Sequence, residues 1–410
     1  MQFFVNDDLL SNMIKQVLSN NTKGLFSSIE DIVLVKISGS KMSLTSISSI
    51  FVFSKEIDIE IPGLDNLDGE SIQFGIERKD LEAINKIILA NKGIPVDRDN
   101  TNVSIMLLDN KLRIKYKGGN YVINIERDVD DIVKEYDIEN KIQYIPFIME
   151  LQAEQINYLF KSILYAVGND YTRPSINGVN LLYDPFVSPN IITARATDSY
   201  RLAAAYNNVV LLQPVEDIPP MNIVVPQELI KTLLFINEPI FLRFTENQKE
   251  ILITNDFGMK ILSRSIIENT IPYEKIISMQ RDYKCIVNRL EFIGAIQSVI
   301  IASREEDYVH IRIDNSSSNS LHISRESERG QGEYTLSIGF ENPPTGFTTI
   351  DLTFYQKYLI QALKSLSTNM VRLSFSEMSV EHITMLIDEP NGGERYAILQ
   401  AANQGNTNEE

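Results

Sequence analysis

The 410-residue chain contains one cysteine, Cys285, and three histidines, His310, His322 and His382. A lone cysteine excludes an internal disulfide, and no Cys/His spacing matches a zinc site, so neither a metal nor a cofactor is expected. No run of about 18 apolar residues is present to span a bilayer. The N-terminus, MQFFVNDDLLSNMIKQ, lacks the basic start, continuous apolar core and small-residue cleavage site of a signal peptide. A cytoplasmic location with no membrane partner is the expectation. Positive charge is also short: 38 Lys and Arg stand against 55 Asp and Glu, a formal net charge of −17. At face value this argues against nucleic acid, because phosphate binding usually shows as a basic face.

Catalytic signatures are equally scarce. No GxxxxGK[ST] phosphate loop occurs, and GQG at 330–332 is too short for a dinucleotide fingerprint. Asp198 could serve as a general base, but the sequence places no acid or nucleophile beside it. The three histidines fall on or near expected strands, where lone imidazoles are more often structural or exposed than catalytic. An enzyme is not expected.

What the chain does have is length, apolar content and repetition. Hydrophobic residues make up 43%, enough for sizeable cores in two to about four domains. Helical spacing occurs at Leu9, Met13 and Val17, at Ile156, Leu159, Phe160 and Ile163, and at Ile293, Ile296 and Ile300. A second set follows at Leu81, Ile84 and Ile88, at Leu229, Leu233 and Ile236, and at Tyr355, Leu359, Leu363 and Leu366. Between these the period changes to two, as in NVSIMLLDNKLRIKY, PIFLRFTENQKEILIT and NMVRLSFSEMSVEHITMLI, the first of which reads as a β-hairpin turning at Asp109 and Asn110. Three α+β units are therefore expected, each with two helices packed on antiparallel sheets. Seams near DIENKIQYIP (137–146) and ISMQRDYK (277–284) place the domains at 1–142, 143–279 and 280–410. A polar tail occupies about 403–410.

Two middle-unit segments are specific. RPSINGVNLLY begins at Arg173, and ATDSYRLAAA begins at Ala196. They resemble the Arg-x-x-(Leu/Ile)-Asn-Gly strand and the Ala-Thr-Asp-Gly-His-Arg-Leu-Ala segment of the bacterial DNA polymerase III β subunit, the sliding-clamp family. The first matches at Arg173, Ile176, Asn177 and Gly178. The second matches at Ala196, Thr197, Asp198, Arg201, Leu202 and Ala203. Ser199 and Tyr200 stand where Gly and His are common, and Gln400 and Ala402 stand near the family's closing Pro-x-Arg.

The resemblance implies a DNA polymerase processivity factor: a head-to-tail homodimeric ring of clamp domains, through which double-stranded DNA passes independently of sequence. It also implies a pocket for short peptides of replicative polymerase, clamp loader and repair proteins. Carried over residue by residue, that pocket includes Arg173, Ile176, Thr197, Ser199, Tyr200, Arg201, Leu202, Pro272, Ile277, Ala397, Ile398 and Leu399. For Asp198 and Arg201 a second reading is a structural pair capping the turn. Basic residues outnumber acidic ones over the six expected helices, whereas the rest of the chain is strongly acidic. Lys15, Lys23, Lys79, Lys86, Lys161, Lys231, Arg289, Arg304, Lys357 and Lys364 would then line the hole. The interface is expected to join the first and third domains through Lys79 and Val122 on one side and Ile300 and Ile301 on the other, although these isoleucines could equally be core. A clamp-like scaffold that binds proteins without DNA is the alternative.

Overall fold

The computed structural model describes residues 1–19, 31–62, 71–92, 102–129, 147–170, 172–212, 218–245, 247–266, 271–303, 307–314, 319–342, 349–375, 384–390 and 394–401. Lys23, Arg304, His382, the seam at 137–146 and the polar tail lie outside them. The described elements follow one another in three like successions. The first is β1 (Gln2–Asn6), α1 (Asp7–Leu18), β2 (Ile32–Ser38), β3 (Lys41–Ile47), β4 (Phe51–Asp58), β5 (Ile72–Glu77), α2 (Arg78–Asn91), β6 (Asn102–Leu108), β7 (Lys111–Tyr116) and β8 (Gly119–Asn124). The second opens with β9 (Phe147–Leu151), α3 (Ala153–Lys161), β10 (Gly178–Tyr183), β11 (Ile191–Thr197) and β12 (Arg201–Asn208). It continues through a short β13 (Val210–Leu211), β14 (Met221–Pro226), α4 (Gln227–Leu233), β15 (Ile240–Phe244), β16 (Glu250–Thr254) and β17 (Met259–Arg264). A short helix, α5 (Tyr273–Ile277), precedes the third: β18 (Tyr283–Asn288), α6 (Arg289–Ser303), β19 (Tyr308–Asp314), β20 (Ser320–Ser327) and β21 (Gly330–Ser337). That succession closes with β22 (Gly339–Asn342), β23 (Thr349–Tyr355), α7 (Gln356–Ser365), β24 (Met370–Phe375), β25 (Thr384–Asp388) and β26 (Arg395–Gln400).

The chain packs into two compact units, residues 1–156 with 209–266 and residues 157–208 with 267–410. In the first, strands run β1-β6-β7-β8 in one sheet and β13-β9-β15-β16-β17-β4-β3-β2-β5 in the other. The larger sheet forms because β4 pairs with β17, from Lys55 opposite Met259 to Phe51 opposite Ser263. In the second unit one sheet runs β21-β20-β19-β23, and the other contains the order β10-β11-β12-β26-β25-β24-β18-β22. There β12 pairs with β26. The second succession of elements is thus shared between the units, because its strands extend sheets begun by the first and third.

Local chemistry explains the elements. Asn6 opens α1, its side-chain oxygen accepting from the backbone N–H of Asp8 (3.0 Å) and Leu9 (3.1 Å), which satisfies donors that the first turn leaves orphaned. Leu10, Met13, Ile14 and Val17 form the buried stripe of α1, whereas Leu9 is exposed. The Asp7 carboxylate is buried and accepts from the Tyr116 hydroxyl at 2.6 Å, fastening α1 to β7. Four apolar positions fall outside the helices the spacing predicts: Tyr355 ends β23, while Ile163 follows α3 in a tight turn, Ile236 follows α4 and Leu366 follows α7, these last three all buried. Helical spacing here marks a buried face that continues past the last helical hydrogen bond. Among the described residues no helix is long and apolar enough to cross a membrane.

Candidate functional site

The segment containing Asp198 is a tight, self-bonded turn between β11 and β12. The Asp198 carboxylate accepts from the backbone N–H of Tyr200 and Arg201, both at 3.0 Å, and from Arg201 Nε at 2.8 Å. Thr197 donates its hydroxyl to the Arg201 carbonyl at 2.7 Å and accepts from the Ser199 N–H at 3.1 Å. Both carboxylate oxygens of Asp198 are thereby used in shaping the turn, which is the structural-pair reading. The turn drives Ser199 to φ = 82°, a left-handed conformation that favours glycine.

Strand alternation separates the side chains that follow. Leu202 lies opposite both Thr197 and Ile398, and Ile398 lies opposite Leu386. This row forms a small apolar cluster with Ala204 and Tyr273, edged by Ile271, Ile276, Ile277, Leu386 and Tyr396. Arg201 lies opposite Leu399, one residue out of step. Its guanidinium is held over the rings of Tyr358 (4.0 Å) and Tyr165 (5.2 Å) and donates to Gln361. Ala397 and Leu399 belong to the main core of the unit.

Helix α5 completes the cluster. Arg281 is buried and donates to the carbonyls of Ile276 (3.0 Å), Ile277 (3.3 Å) and Met279 (3.0 Å) and to Thr384 Oγ1 (3.0 Å). The last turn of α5 is thereby capped and tied to β25. Burial pushes the Tyr273 hydroxyl up to about 12, so the ring serves as an apolar wall. Arg195 sits over that ring at 5.8 Å and pairs with Glu274 at 2.8 Å.

On the other side stands the loop ahead of β10. Asn177 holds it closed, accepting from the Asp170 N–H (2.8 Å) and donating to the Asp170 carbonyl (2.9 Å). Hydrogen bonds from Thr172 and Arg173 hold the Asp170 carboxyl well below its ordinary value, at about 2. Arg173 donates Nε to Asp170 at 2.8 Å and a terminal nitrogen to the Ser199 hydroxyl at 2.8 Å.

No protein-family model matches the chain. Among curated relatives, a Rickettsia bellii protein named Beta sliding clamp is 25% identical over 254 residues, 59% of this chain and 63% of the relative. The Bacillus subtilis protein of the same name is 28% identical over 247 residues, 57% of this chain and 60% of the relative. The chain thus spans under two thirds of the length of these curated relatives. In three dimensions the likeness extends over nearly the whole chain: the DNA polymerase III beta subunit of Thermotoga maritima superposes with a TM-score of 0.80 over 98% of this chain and 99% of that one, at 13% identity.

The fold is that of a sliding clamp. Seven basic residues expected to face the hole of such a clamp, Lys15, Lys79, Lys86, Lys161, Lys231, Lys357 and Lys364, are exposed on their helices. Arg289 differs: it is half-buried and donates to the carbonyls of Thr368 (2.6 Å) and Leu363 (3.3 Å), closing the end of α7. Of the expected interface residues, Lys79 is exposed. Val122, on the edge strand β8, is 51% exposed and Ile301 is 76% exposed. Ile300 instead packs half-buried against the core.

Of the expected pocket residues, the structure brings together Thr197, Leu202, Ile277 and Ile398 around one cluster. Arg173, Ser199 and Tyr200 lie exposed beside it, with Pro272 exposed at the start of α5 and Ile176 buried under the Arg173 loop. Arg201, Ala397 and Leu399 point their side chains elsewhere. Period-two alternation, applied to Ala397-Ile398-Leu399 and Arg201-Leu202, is the signal that distinguishes them. Tyr273, Tyr396 and Leu386 complete the cluster but lie outside the expected set, although Tyr273 adjoins Pro272 and Tyr396 adjoins Ala397. Arg281 also lies outside the expected set, in the seam segment ISMQRDYK.

Proposed function

We propose that this chain is a DNA polymerase processivity factor, a sliding clamp that closes as a head-to-tail homodimer around double-stranded DNA in the cytoplasm. It acts by binding, not catalysis, and needs no cofactor. Three clamp domains, 1–142, 143–279 and 280–410, would each contribute two helices to the lining of the hole, following the threefold succession of elements. Seven exposed lysines would give that lining a mild positive charge, and the acidic remainder would keep the outer faces off DNA. Weak phosphate contact suits a ring that must slide, since each tight contact adds to the barrier against movement.

The observation that carries this reading is the likeness to solved clamps over nearly the whole chain, with a TM-score of 0.80. Support for the peptide pocket comes from the apolar cluster of Leu202, Tyr273 and Ile398 beside the exposed Arg173 and Tyr200. Such a cluster would accept Leu or Phe anchors of polymerase, clamp-loader and repair peptides, each contributing about 1.5–3 kcal/mol when fully buried.

The test is solution mass. Wild type should measure twice the 46.6 kDa chain, and Ile301→Glu, at a position already 76% exposed, should give folded monomers. A monomeric wild type would refute the ring. The net charge of −17 favours the alternative, a protein-binding scaffold of clamp fold, which would dimerise without retaining DNA.

A further inference from the structure

Ser199 occupies a backbone conformation that disfavours any side chain, at φ = 82°. The turn itself does not need a hydroxyl there. Its bonds run through Thr197, Asp198 and the backbone N–H groups of Ser199, Tyr200 and Arg201, all of which a glycine at 199 would leave intact. What the serine adds is one contact: its Oγ accepts from Arg173 at 2.8 Å. With Asp170 on Nε at 2.8 Å, the guanidinium is held at two points on two different loops. Its remaining terminal N–H groups have no acceptor among the described residues, and the side chain is 53% exposed.

We propose that Ser199 is a positioning residue, holding Arg173 ready to take an acidic side chain of the partner peptide; this deepens, and rests on, the pocket reading above. A guanidinium suits a carboxylate because its N–H groups are planar and can donate in parallel. Fixing it beforehand removes the ordering cost that a free arginine would incur on binding. Asp170 occupies the Nε edge, which leaves the terminal edge for the ligand. Tyr200, 62% exposed, stands next to Ser199 in the same turn.

The experiment compares wild type, Ser199→Gly, Ser199→Ala and Leu202→Asp by fluorescence anisotropy. The probes are short synthetic peptides with a Leu-Phe anchor pair preceded by Asp, Asn or Lys. Wild type should favour the Asp peptide over the Asn peptide by about tenfold, and the Lys peptide should bind weakest. Both Ser199 variants should reduce that preference to about twofold while holding the Asn peptide near its wild-type affinity. Ser199→Gly should also raise Tm, by about 2 °C, by relieving the left-handed backbone; Ser199→Ala should not. A purely structural serine would not lower charge preference while raising stability.

An unchanged Asp preference in both Ser199 variants, with binding still abolished by Leu202→Asp, would overturn the proposal and leave the pocket standing. If wild type binds none of the peptides, pocket and proposal fall together. A peptide-free readout is exchange of the Arg173 guanidinium protons by NMR. The Nε–H bond to Asp170 should persist in both proteins, whereas the terminal guanidinium N–H that Ser199 accepts should exchange more slowly in wild type than in Ser199→Gly, and equal protection of that terminal N–H would also overturn the proposal.

Discussion

Arg201 shapes the turn beside the apolar cluster of Leu202 and Ile398 without joining that cluster. Its side chain is 8% exposed, bonded to Asp198 at 2.8 Å and stacked on Tyr358 and Tyr165, so its removal strands a nearly buried carboxylate. Arg201→Ala should lower unfolding stability by about 3 kcal/mol. Arg201→Lys should cost less, about 1 kcal/mol, since charge survives but the planar stacking does not. Urea denaturation checks both, and equal losses would show that the charge a lysine retains contributes nothing. Asp170 yields a pH statement. Its carboxyl is depressed from 3.8 to about 2, so the ionised form is favoured by folding. That contribution is present above the unfolded value and lost as pH falls through about 2. The Asp170 carboxyl ¹³C resonance should titrate with a midpoint near 2, and a midpoint at the ordinary value would mean the Thr172 and Arg173 bonds are absent in solution. Arg201 sits in a motif visible in the sequence, and Asp170 lies three residues ahead of another. The direction of Arg201 is set by strand register and by contacts with Tyr165, Tyr358 and Gln361, distant in sequence, which local pattern does not encode.

At the scale of elements, the helices were legible because one buried face per helix repeats at 3.6 residues, and the hairpins because apolar residues alternate. The reading overshot at Ile163, Ile236 and Leu366, where burial outlasts the helix, and it missed α5, whose five residues are too few to show a period. Pairing of β4 with β17 and of β12 with β26 was not legible, since strands distant in sequence carry no local mark of their partner. GQG at 330–332, which resembles a fragment of a nucleotide loop, has a packing cause. A Cβ on Gly332 would meet the Val299 carbonyl oxygen at 2.6 Å, and one on Gly330 would run into the Ala302 carbonyl oxygen, so β21 lies directly against the backbone of α6. Gly332→Ala should therefore destabilise by about 2 kcal/mol as helix and strand part. Gly294→Ala, in the same helix with nothing within 4 Å of the added atom, should stabilise by about 0.5–1 kcal/mol. Thermal unfolding of the two variants checks the pair, and a neutral Gly332→Ala would show that β21 and α6 are not so closely packed.

For the whole molecule, a net charge of −17 and a role around DNA are compatible only if DNA is held by enclosure. Attraction through the exposed lysines alone would fade with salt, at a slope of about −0.9 in log K against log salt for each phosphate neutralised. A closed ring is released only by opening its interface or by reaching a DNA end. The most direct measurement is retention on nicked circular duplex after loading by a clamp loader, followed by a high-salt wash and then linearisation. Enclosure predicts that the protein survives the wash, leaves on linearisation, and stays when the ends of the linear DNA are blocked. Loss in the salt wash, or retention on linear DNA with free ends, would contradict it.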